Sequence, residues 1–182
     1  MPPPSDRALL ALGRAAQALN RATDIDTLFL EVLEAAREAI PAAEKGSILF
    51  WDEVFQTLHV SHIVGYADPR AVQTTFPVTR GYAARCARER RPLVIDDARQ
   101  DADIRYDGDI AELRAIQSAV LAPLLVRDRL LGVISLDAVK PRAFGEGDMA
   151  ILVVFAGMTA LALDNARLHR DLERQPSSKL SD

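Results

Sequence analysis

Two apolar segments separated by only two residues place the strongest constraint on the fold of this chain. Residues 118–126 (SAVLAPLLV) and 129–138 (RLLGVISLDA) have the length and aliphatic content of buried strands. Arg127 and Asp128 between them suit a two-residue hairpin connection. Strands joined in this way pair antiparallel, so the sequence predicts an antiparallel sheet.

The segment before this hairpin also has the pattern of strands. Alternating apolar residues predict a second hairpin at residues 46–52 and 57–65. The stretch that follows is more irregular, and its pattern predicts a short strand at 75–79, a helix from Gly81 to about Arg90, a short strand at 92–96 and an acidic loop at 97–113.

Helical periodicity occurs at both ends of the chain. Residues 6–20 and 26–40 have the spacing of amphipathic helices, and residues 147–175 continue such a spacing without a proline. Helices before and after hairpin-linked strands predict an α+β fold, with the terminal helices packed on one face of the sheet. We divide the chain into an N-terminal helix at 1–23, one domain at 24–175 and a frayed tail at 176–182.

Composition excludes several classes of protein. The net charge of −4 is a poor match to a nucleic-acid binder, so no nucleic-acid partner is expected. No continuous apolar run reaches the roughly 18 residues that span a bilayer, and the start resembles no signal peptide. One cysteine excludes an internal disulfide and a multi-cysteine metal site. We therefore expect a cytoplasmic protein with no membrane partner, no metal and no cofactor.

Five segments carry a resemblance to a known family: SILFWD, HVSHIVG, RRPLVIDDARQDADI, SAVLAPLLVRDRLLGVISLDAVKPRAF and ALALDNARLHRDL. In this order they cover most of residues 26–172, and together they resemble GAF domains, small sensory modules related in fold to PAS domains. The resemblance implies a six-stranded antiparallel sheet, with helices on one side and a half-closed pocket formed by short helices and loops on the other. It also implies sensing in bacterial signalling, often as a dimer that acts on a signalling protein such as a kinase or cyclase.

The loop after the last strand matches part of a signature of cyclic-nucleotide-binding GAF domains. That signature has Asn-Lys, a later Phe and then Asp-Glu. Lys140, Phe144 and Asp148 match it, but Val139 replaces the Asn and Met149 replaces the Glu. We therefore assign the three matching residues a structural role, in which the Phe fills the space beside the helix start and the Asp accepts from free backbone N–H groups.

No residue has the context of a catalytic group. GAF-related methionine sulfoxide reductases need more than one cysteine, and tetrapyrrole-binding relatives use a cysteine typically followed by His, whereas Ala87 follows Cys86 here. A buried structural role is predicted for this thiol. His59 and His62 are three residues apart on a strand and should point to opposite faces, so they form no metal pair.

The walls of a pocket are expected to come from the inner sheet face and the irregular middle of the chain. On the last strand, Val133, Ser135 and Asp137 fall on one face, and the wholly apolar Gly132, Ile134 and Leu136 on the other. The first set has the polar groups that a pocket would use. The helix start at Gly81 could bind an anion, or the arginines that follow could form a solvated face. Our candidate ligand-binding residues are His62, Arg80, Gly81, Tyr82, Ile95, Asp97, Tyr106, Ser118, Val120, Ser135 and Asp137. For His62, a hydrogen-bonded core position is the alternative.

The C-terminal helix has apolar residues on two sides. Its alternating spacings of three and four residues resemble the seam of a coiled coil, with an Asn that could fix the register. A helix that is apolar on two sides needs two partners, here the sheet and a second subunit. The predicted dimer interface contains Leu9, Leu12, Leu19, Val154, Met158, Leu161, Asn165 and Leu168. The alternative is a monomer in which the first helix covers the seam.

These observations favour a non-enzymatic sensory domain that binds a small molecule and transmits through a helical dimer. One alternative is a ligand-free dimerisation or protein-interaction module whose pocket is filled by side chains. A second alternative, an enzyme similar to free methionine sulfoxide reductase, conflicts with the single cysteine.

Overall fold

The computed structural model describes residues 6–21, 24–100, 106 and 108–174, with side chains described for 6–19, 24–100, 106 and 108–168. The helices are α1 (Asp6–Arg21), α2 (Ile25–Ala39), α3 (Tyr82–Glu89), α4 (Ala111–Arg114) and α5 (Glu146–Arg174), with a 3-10 helix at Pro69–Gln73. The strands are β1 (Lys45–Asp52), β2 (Thr57–Val64), β3 (Thr75–Pro77), β4 (Leu93–Ile95), β5 (Ser118–Val126) and β6 (Arg129–Ala138).

The six strands form one sheet in the order β3-β2-β1-β6-β5-β4, and every neighbouring pair is antiparallel. The predicted α+β class and six-stranded antiparallel sheet are confirmed. The two hairpins provide the long central strands. β3 and β4 are only three residues each and extend the sheet at its edges.

One sheet face packs against a layer made by α2 and α5. Phe29 and Leu33 of α2 and Leu152 and Phe155 of α5 are fully buried there against aliphatic side chains of the sheet. Asp24 caps the start of α2, because its carboxylate accepts from Thr27 N at 2.9 Å. Burial of four such side chains stabilises the fold by roughly 1.5–3 kcal/mol each.

Two β-bulges determine which side chains face the helices. In β2, Ile48 pairs with His62 but Leu49 pairs with Val60, so Ser61 is an extra residue. In the β5–β6 pair, Leu125 faces Leu130 and Leu124 faces Gly132, so Leu131 is extra. Each bulge reverses the alternation of faces in the residues beyond it.

Helix α1 lies outside the α2–α5 layer and contacts both helices. Its buried face consists of alanines at positions 8, 11, 15 and 18. The leucines predicted for a dimer interface lie on another side of this helix: Leu9 is 54% exposed, and Leu12 and Leu19 are half-buried at the margin. Alanine lets the helix axes approach closely, which explains why the smaller residues occupy the contact.

Helix α5 is the one helix among the described residues that is long and apolar enough to span a membrane, over Glu146–Leu168. One side of it packs on the sheet, where Leu152, Phe155 and Thr159 are fully buried. The other side leaves Val154 and Leu161 about half exposed, at 48% and 57%. The apolarity of α5 thus follows from one face that the sheet covers and another that the monomer leaves open.

Candidate ligand cavity

The second face of the sheet borders a cavity of about 300 Å³. Its other walls are the 3-10 helix, β3, the start of α3 and the segment around Tyr106 and α4. The volume is about twice that of an engineered cavity that holds benzene, which leaves room for roughly a dozen non-hydrogen atoms. The lining residues are Ser47, Leu49, Val60, Ile63, Tyr66, Ala71, Thr75, Phe76, Pro77, Arg80, Gly81, Tyr82, Ala83, Ala84, Tyr106, Gly108, Leu113 and Ser135.

Most of this lining is apolar or aromatic. Leu49 and Val60 contribute the sheet wall, and Phe76 and Tyr106 meet edge to face with ring centroids 6.0 Å apart. Such a lining, with a few polar groups grouped at defined points, is typical of sites for small organic molecules.

The polar groups at the sheet end meet at Asp137, which is 1% exposed. Its Oδ1 accepts from Ser135 Oγ at 2.8 Å and from Tyr82 Oη at 3.3 Å, and its Oδ2 accepts from Tyr66 Oη at 3.1 Å. Burial raises the pKa of Asp137 to about 6, although the three hydroxyl donors oppose that change. Burial beside this carboxylate also raises the pKa of both tyrosines well above the usual value.

An ion pair beside this cluster joins three parts of the cavity wall. Lys45 Nζ on β1 bonds Glu112 Oε1 on α4 at 2.7 Å, and it lies 4.7 Å from the centroid of the Tyr66 ring. Glu112 Oε2 accepts from the backbone amides of Ala67 and Asp68, at 3.0 and 2.8 Å. These contacts hold the segment that precedes the 3-10 helix against α4 and the sheet.

The start of α3 forms another wall of the cavity. Gly81 has φ +99°, a conformation that favours glycine, and its carbonyl accepts the first bond of the helix, from Arg85 N. The three residues between them line the cavity, and their amides precede that first intrahelical bond. The backbone of this wall therefore favours hydrogen-bond acceptors, whereas the hydroxyl groups around Asp137 are rich in oxygen.

Five of the eleven predicted ligand-binding residues line the cavity: Arg80, Gly81, Tyr82, Tyr106 and Ser135. Asp137 lies directly behind them and bonds two lining tyrosines. The alternation predicted for β6 is correct, because Ile134 and Leu136 belong to the core on the helix side and Val133 to the cavity side.

His62 does not line the cavity. The bulge at Ser61 turns it to the helix side, where it packs edge to face on Phe29 and Phe50 and its Nε2 lies 3.3 Å from Asp26 Oδ1. Burial lowers the pKa of His62, and Asp26 opposes that change. The alternative of a core histidine describes this residue.

Ser118 and Val120 also lie away from the cavity. In a hairpin without a bulge, the two-residue turn would pair Val120 with Ser135. The bulge at Leu131 shifts the register, so Val120 pairs with Leu136 and lies on the helix side. Ser118 Oγ instead donates to the carbonyl of Lys140.

The last two candidates, Ile95 and Asp97, are near the cavity side of the sheet but do not border the space. Ile95 is buried in the core cluster under α3. Asp97 bonds Arg99 at 2.9 Å, and the pKa of its carboxyl falls well below the usual value because of hydrogen bonds from that residue.

Sequence reasoning missed several lining residues, among them Ser47, Ile63 and Tyr66. Ser47 pairs with Ser135 across β1 and β6, so the register of those strands identifies it once known. Ile63 faces the cavity because of the bulge at Ser61. Tyr66 follows Gly65, whose φ of +76° turns the chain out of β2 and toward Asp137.

A family model for the GAF domain matches residues 22–164. The chain is a member of the GAF domain family. It is 27% identical over 150 residues to the anaerobic nitric oxide reductase transcription regulator NorR of Aliivibrio fischeri, a match that covers 81% of this chain. The chain spans 28% of the length of that relative.

Solved structures show the same fold. The GAF domain of a phosphoenolpyruvate-protein phosphotransferase from Coxiella burnetii has a TM-score of 0.81 at 19% identity, covering 92% of this chain and 99% of that one. Free methionine-R-sulfoxide reductase from Neisseria meningitidis, solved with its substrate, has a TM-score of 0.75 at 19% identity, covering 91% and 95%.

In this GAF domain, the loop between β6 and α5 contacts the sheet and the helix. Phe144 is buried among core side chains, and Asp148 Oδ2 accepts from Gly145 N at 2.9 Å. Lys140 contributes its backbone carbonyl, while Ala143 N donates to Ser118 Oγ at 3.3 Å. These contacts support the structural role assigned to the three residues, because none of them lines the cavity.

Cys86 of the GAF domain lies inside α3 and is fully buried. Its Sγ donates to the carbonyl of Arg91 at 3.4 Å, and burial raises the pKa of the thiol to about 12. Among the described residues, no group of three or more His, Cys, Asp or Glu side chains is arranged to hold a metal ion.

Proposed function

We propose that this GAF domain is a non-enzymatic sensor that binds a small molecule in the cavity and transmits the signal through the helices of a dimer. The observation that carries the proposal is the 300 Å³ space, whose walls are mostly apolar or aromatic with a few polar groups. The regulator among its relatives is consistent with a regulatory role.

The open cavity argues against the ligand-free alternative. A module that had lost its ligand would be expected to fill the space with side chains, because an empty volume forfeits packing contacts. Here Ala71, Ala83 and Ala84 border the space, so small residues keep it open at three points.

The thiol argues against a reductase. Thiolate is the nucleophile in sulfoxide reduction, and a buried thiol with a pKa of about 12 is protonated at neutral pH. Cys86 is also the one cysteine of the sequence, so no second thiol can resolve an oxidised intermediate within the chain. A solvent-accessible, reactive Cys86 in native protein would contradict this part of the proposal.

The exposed side of α5 supports a second copy of the chain as the partner. Val154, Leu161 and Leu168 are 48%, 57% and 55% exposed and follow heptad spacing with Asn165 between them. Helix α1 packs on α2 and α5 without covering these side chains. A regular apolar seam of this kind is self-complementary across a two-fold axis. We expect the dimer to act in the cytoplasm on a signalling protein such as a kinase or cyclase.

Native mass spectrometry of freshly purified protein tests the sensor. We expect a co-purifying small molecule, or a raised melting temperature with a metabolite from a screen, because a ligand that binds the folded state stabilises it. Val60→Phe should abolish both effects by filling the cavity, while Val72→Phe, at a 39% exposed position, should leave them intact. Equal ligand occupancy in the two variants would refute the site.

Sedimentation tests the dimer. Leu161→Glu should convert the protein to a monomer, since it places charges at the centre of the seam. Val54→Glu is the control, because Val54 is 84% exposed at the tip of the β1–β2 hairpin, away from α5. A sedimentation coefficient that Leu161→Glu leaves unchanged would refute the seam.

A further inference from the structure

The hydrogen-bond pattern at Asp137 restricts what the cavity can bind. Ser135, Tyr66 and Tyr82 line the cavity, and each hydroxyl bonds the buried carboxylate. An ionised carboxylate only accepts hydrogen bonds, so all three hydroxyl protons are directed at Asp137. The hydroxyl oxygens can then act toward a ligand only as hydrogen-bond acceptors. This end of the cavity therefore selects a hydrogen-bond donor.

The charge balance points the same way. Lys45 is the nearby cation and its charge lowers the pKa of Asp137, but its ammonium group binds Glu112 Oε1 at 2.7 Å. The negative charge of Asp137 is met by neutral hydroxyls alone among its hydrogen-bond partners in the described part of the chain. A buried charge whose hydrogen-bond partners are neutral is costly, and a cation placed beside the hydroxyl cluster would reduce that cost.

The aromatic lining suits a cation as well. Tyr66, Phe76, Tyr82 and Tyr106 border the space, and the faces of such rings attract ammonium groups. Lys45 already illustrates the contact, with Nζ 4.7 Å from the centroid of the Tyr66 ring.

We propose that the cavity binds a small organic ammonium compound, whose N–H groups donate to the hydroxyls of Ser135, Tyr66 and Tyr82 and whose apolar body contacts Leu49, Val60 and Phe76. The inference rests on the proposed sensor function and specifies its ligand class. The volume of about 300 Å³ limits the body to roughly a dozen non-hydrogen atoms.

The start of α3 has the opposite polarity. Arg80 lines the cavity just before this helix, and the amides at the helix start favour acceptors, so a carboxylate or phosphate would bind beside them. An acid of similar shape therefore has to be compared with the amine, because the hydroxyl cluster and the start of α3 predict opposite preferences.

Calorimetric titration with three probes of similar shape tests the ligand class at pH 8: 2-phenylethylamine, 2-phenylethanol and 3-phenylpropionate. We expect the amine to bind at least about tenfold more tightly than either other probe, because charge-assisted hydrogen bonds contribute free energies of that size. Asp137→Asn and Tyr82→Phe should each reduce the preference. Asp97→Asn is the matched control, because Asp97 bonds Arg99 outside the cavity and its loss should leave the preference unchanged.

Affinity for the amine should fall severalfold between pH 8 and pH 5, as Asp137 becomes protonated. The groups that face Asp137 from other elements are Lys45 on β1, Glu112 on α4, Tyr66 after β2 and Tyr82 on α3. A hydrogen bond from Lys45 lowers the pKa of Glu112 and burial raises that of both tyrosines, so these shifts move all three pKa values away from the interval.

Each other result overturns the ligand class. Equal affinity for the alcohol would mean that the hydroxyl cluster does not select charge, and tighter binding of the acid would mean that the donors at the start of α3 dominate. Absence of binding by all three probes at millimolar concentration also refutes the class. The co-purifying ligand seen by native mass spectrometry then decides separately whether the sensor function stands. If Asp137→Asn fails to fold by circular dichroism, Ser135→Ala combined with Tyr82→Phe replaces it.

Discussion

Replacing Asp137 by Asn should remove a pH dependence of stability that this one carboxyl group imposes on the fold. Asp137 is 1% exposed, and burial raises its pKa to about 6 from the usual 3.8. The hydrogen bonds from Ser135, Tyr66 and Tyr82 act against burial but offset only part of it. The unfolded chain therefore releases the proton of Asp137 at a lower pH than the folded chain does.

The magnitude follows from the difference between the two pKa values. Because the folded-state pKa is the higher one, the contribution of Asp137 to stability is fully present below pH 3.8 and is lost as the pH rises through about 6. About two pKa units separate these values, which corresponds to roughly 3 kcal/mol in the free energy of unfolding. Roughly 2 kcal/mol of this change falls between pH 4.5 and pH 8.

Urea unfolding of the wild type and of Asp137→Asn at several pH values between 4.5 and 8 measures the effect. The wild-type free energy of unfolding minus that of the variant should fall with rising pH, because Asn cannot ionise. Asp97→Asn serves as the control. The pKa of Asp97 is lowered by hydrogen bonds from Arg99, so this carboxyl stays ionised across the interval and the corresponding difference should be flat.

If the difference in the free energy of unfolding between the wild type and Asp137→Asn does not vary with pH, then burial and the hydroxyl hydrogen bonds have equal and opposite effects on the pKa of Asp137. A difference that increases with pH would mean that the hydroxyl bonds outweigh burial and hold the folded-state pKa below 3.8. Either result would refute the account of an incompletely compensated charge at the end of the cavity.

Two further predictions concern packing and the cavity wall. Gly132→Ala should lower the free energy of unfolding in urea by about 1–3 kcal/mol, because its Cβ would lie 2.1 Å from the carbonyl oxygen of Leu49. Gly157→Ala, whose Cβ meets nothing within 4 Å on α5, should instead raise it by up to about 1 kcal/mol, and an equal loss in both variants would contradict this contrast. Glu112→Gln should speed hydrogen exchange of the backbone amides of Ala67 and Asp68, which the carboxylate binds. Glu53→Gln, at an exposed turn position, should not change their exchange. Unchanged exchange in Glu112→Gln would show that another contact holds the segment at Ala67 and Asp68.

The sequence predicted the sheet and the helix layer because both depend on periodicity and on turn length. The structure has the predicted two-residue connection at Arg127 and Asp128, and it places Ser135 and Ile134 on opposite faces of β6 as predicted. The cavity wall was predicted only in part, because its side-chain directions depend on where β-bulges occur. One extra residue in β2 moved His62 to the other face.

The contact face of the N-terminal helix could not be predicted for a different reason. Leucines define its most hydrophobic side, and this side was predicted to lie in a dimer interface. The structure buries the alanine face against α2 and α5 and leaves Leu9 and Leu10 at 54% and 70% exposure. Close approach of helices favours small residues, a geometric requirement that a hydrophobicity pattern does not contain.

Strand β6 separates the cavity from the helix layer by the thickness of a single sheet. Ser135 borders the cavity, while its neighbours Ile134 and Leu136 belong to the same core cluster as Leu152 and Phe155 of α5. Adjacent layers of this kind lie roughly 10 Å apart. A change at the cavity therefore needs no chain of intermediate residues to reach α5. The backbone of one strand is itself the connection, because a displacement of Ser135 also displaces Ile134 and Leu136.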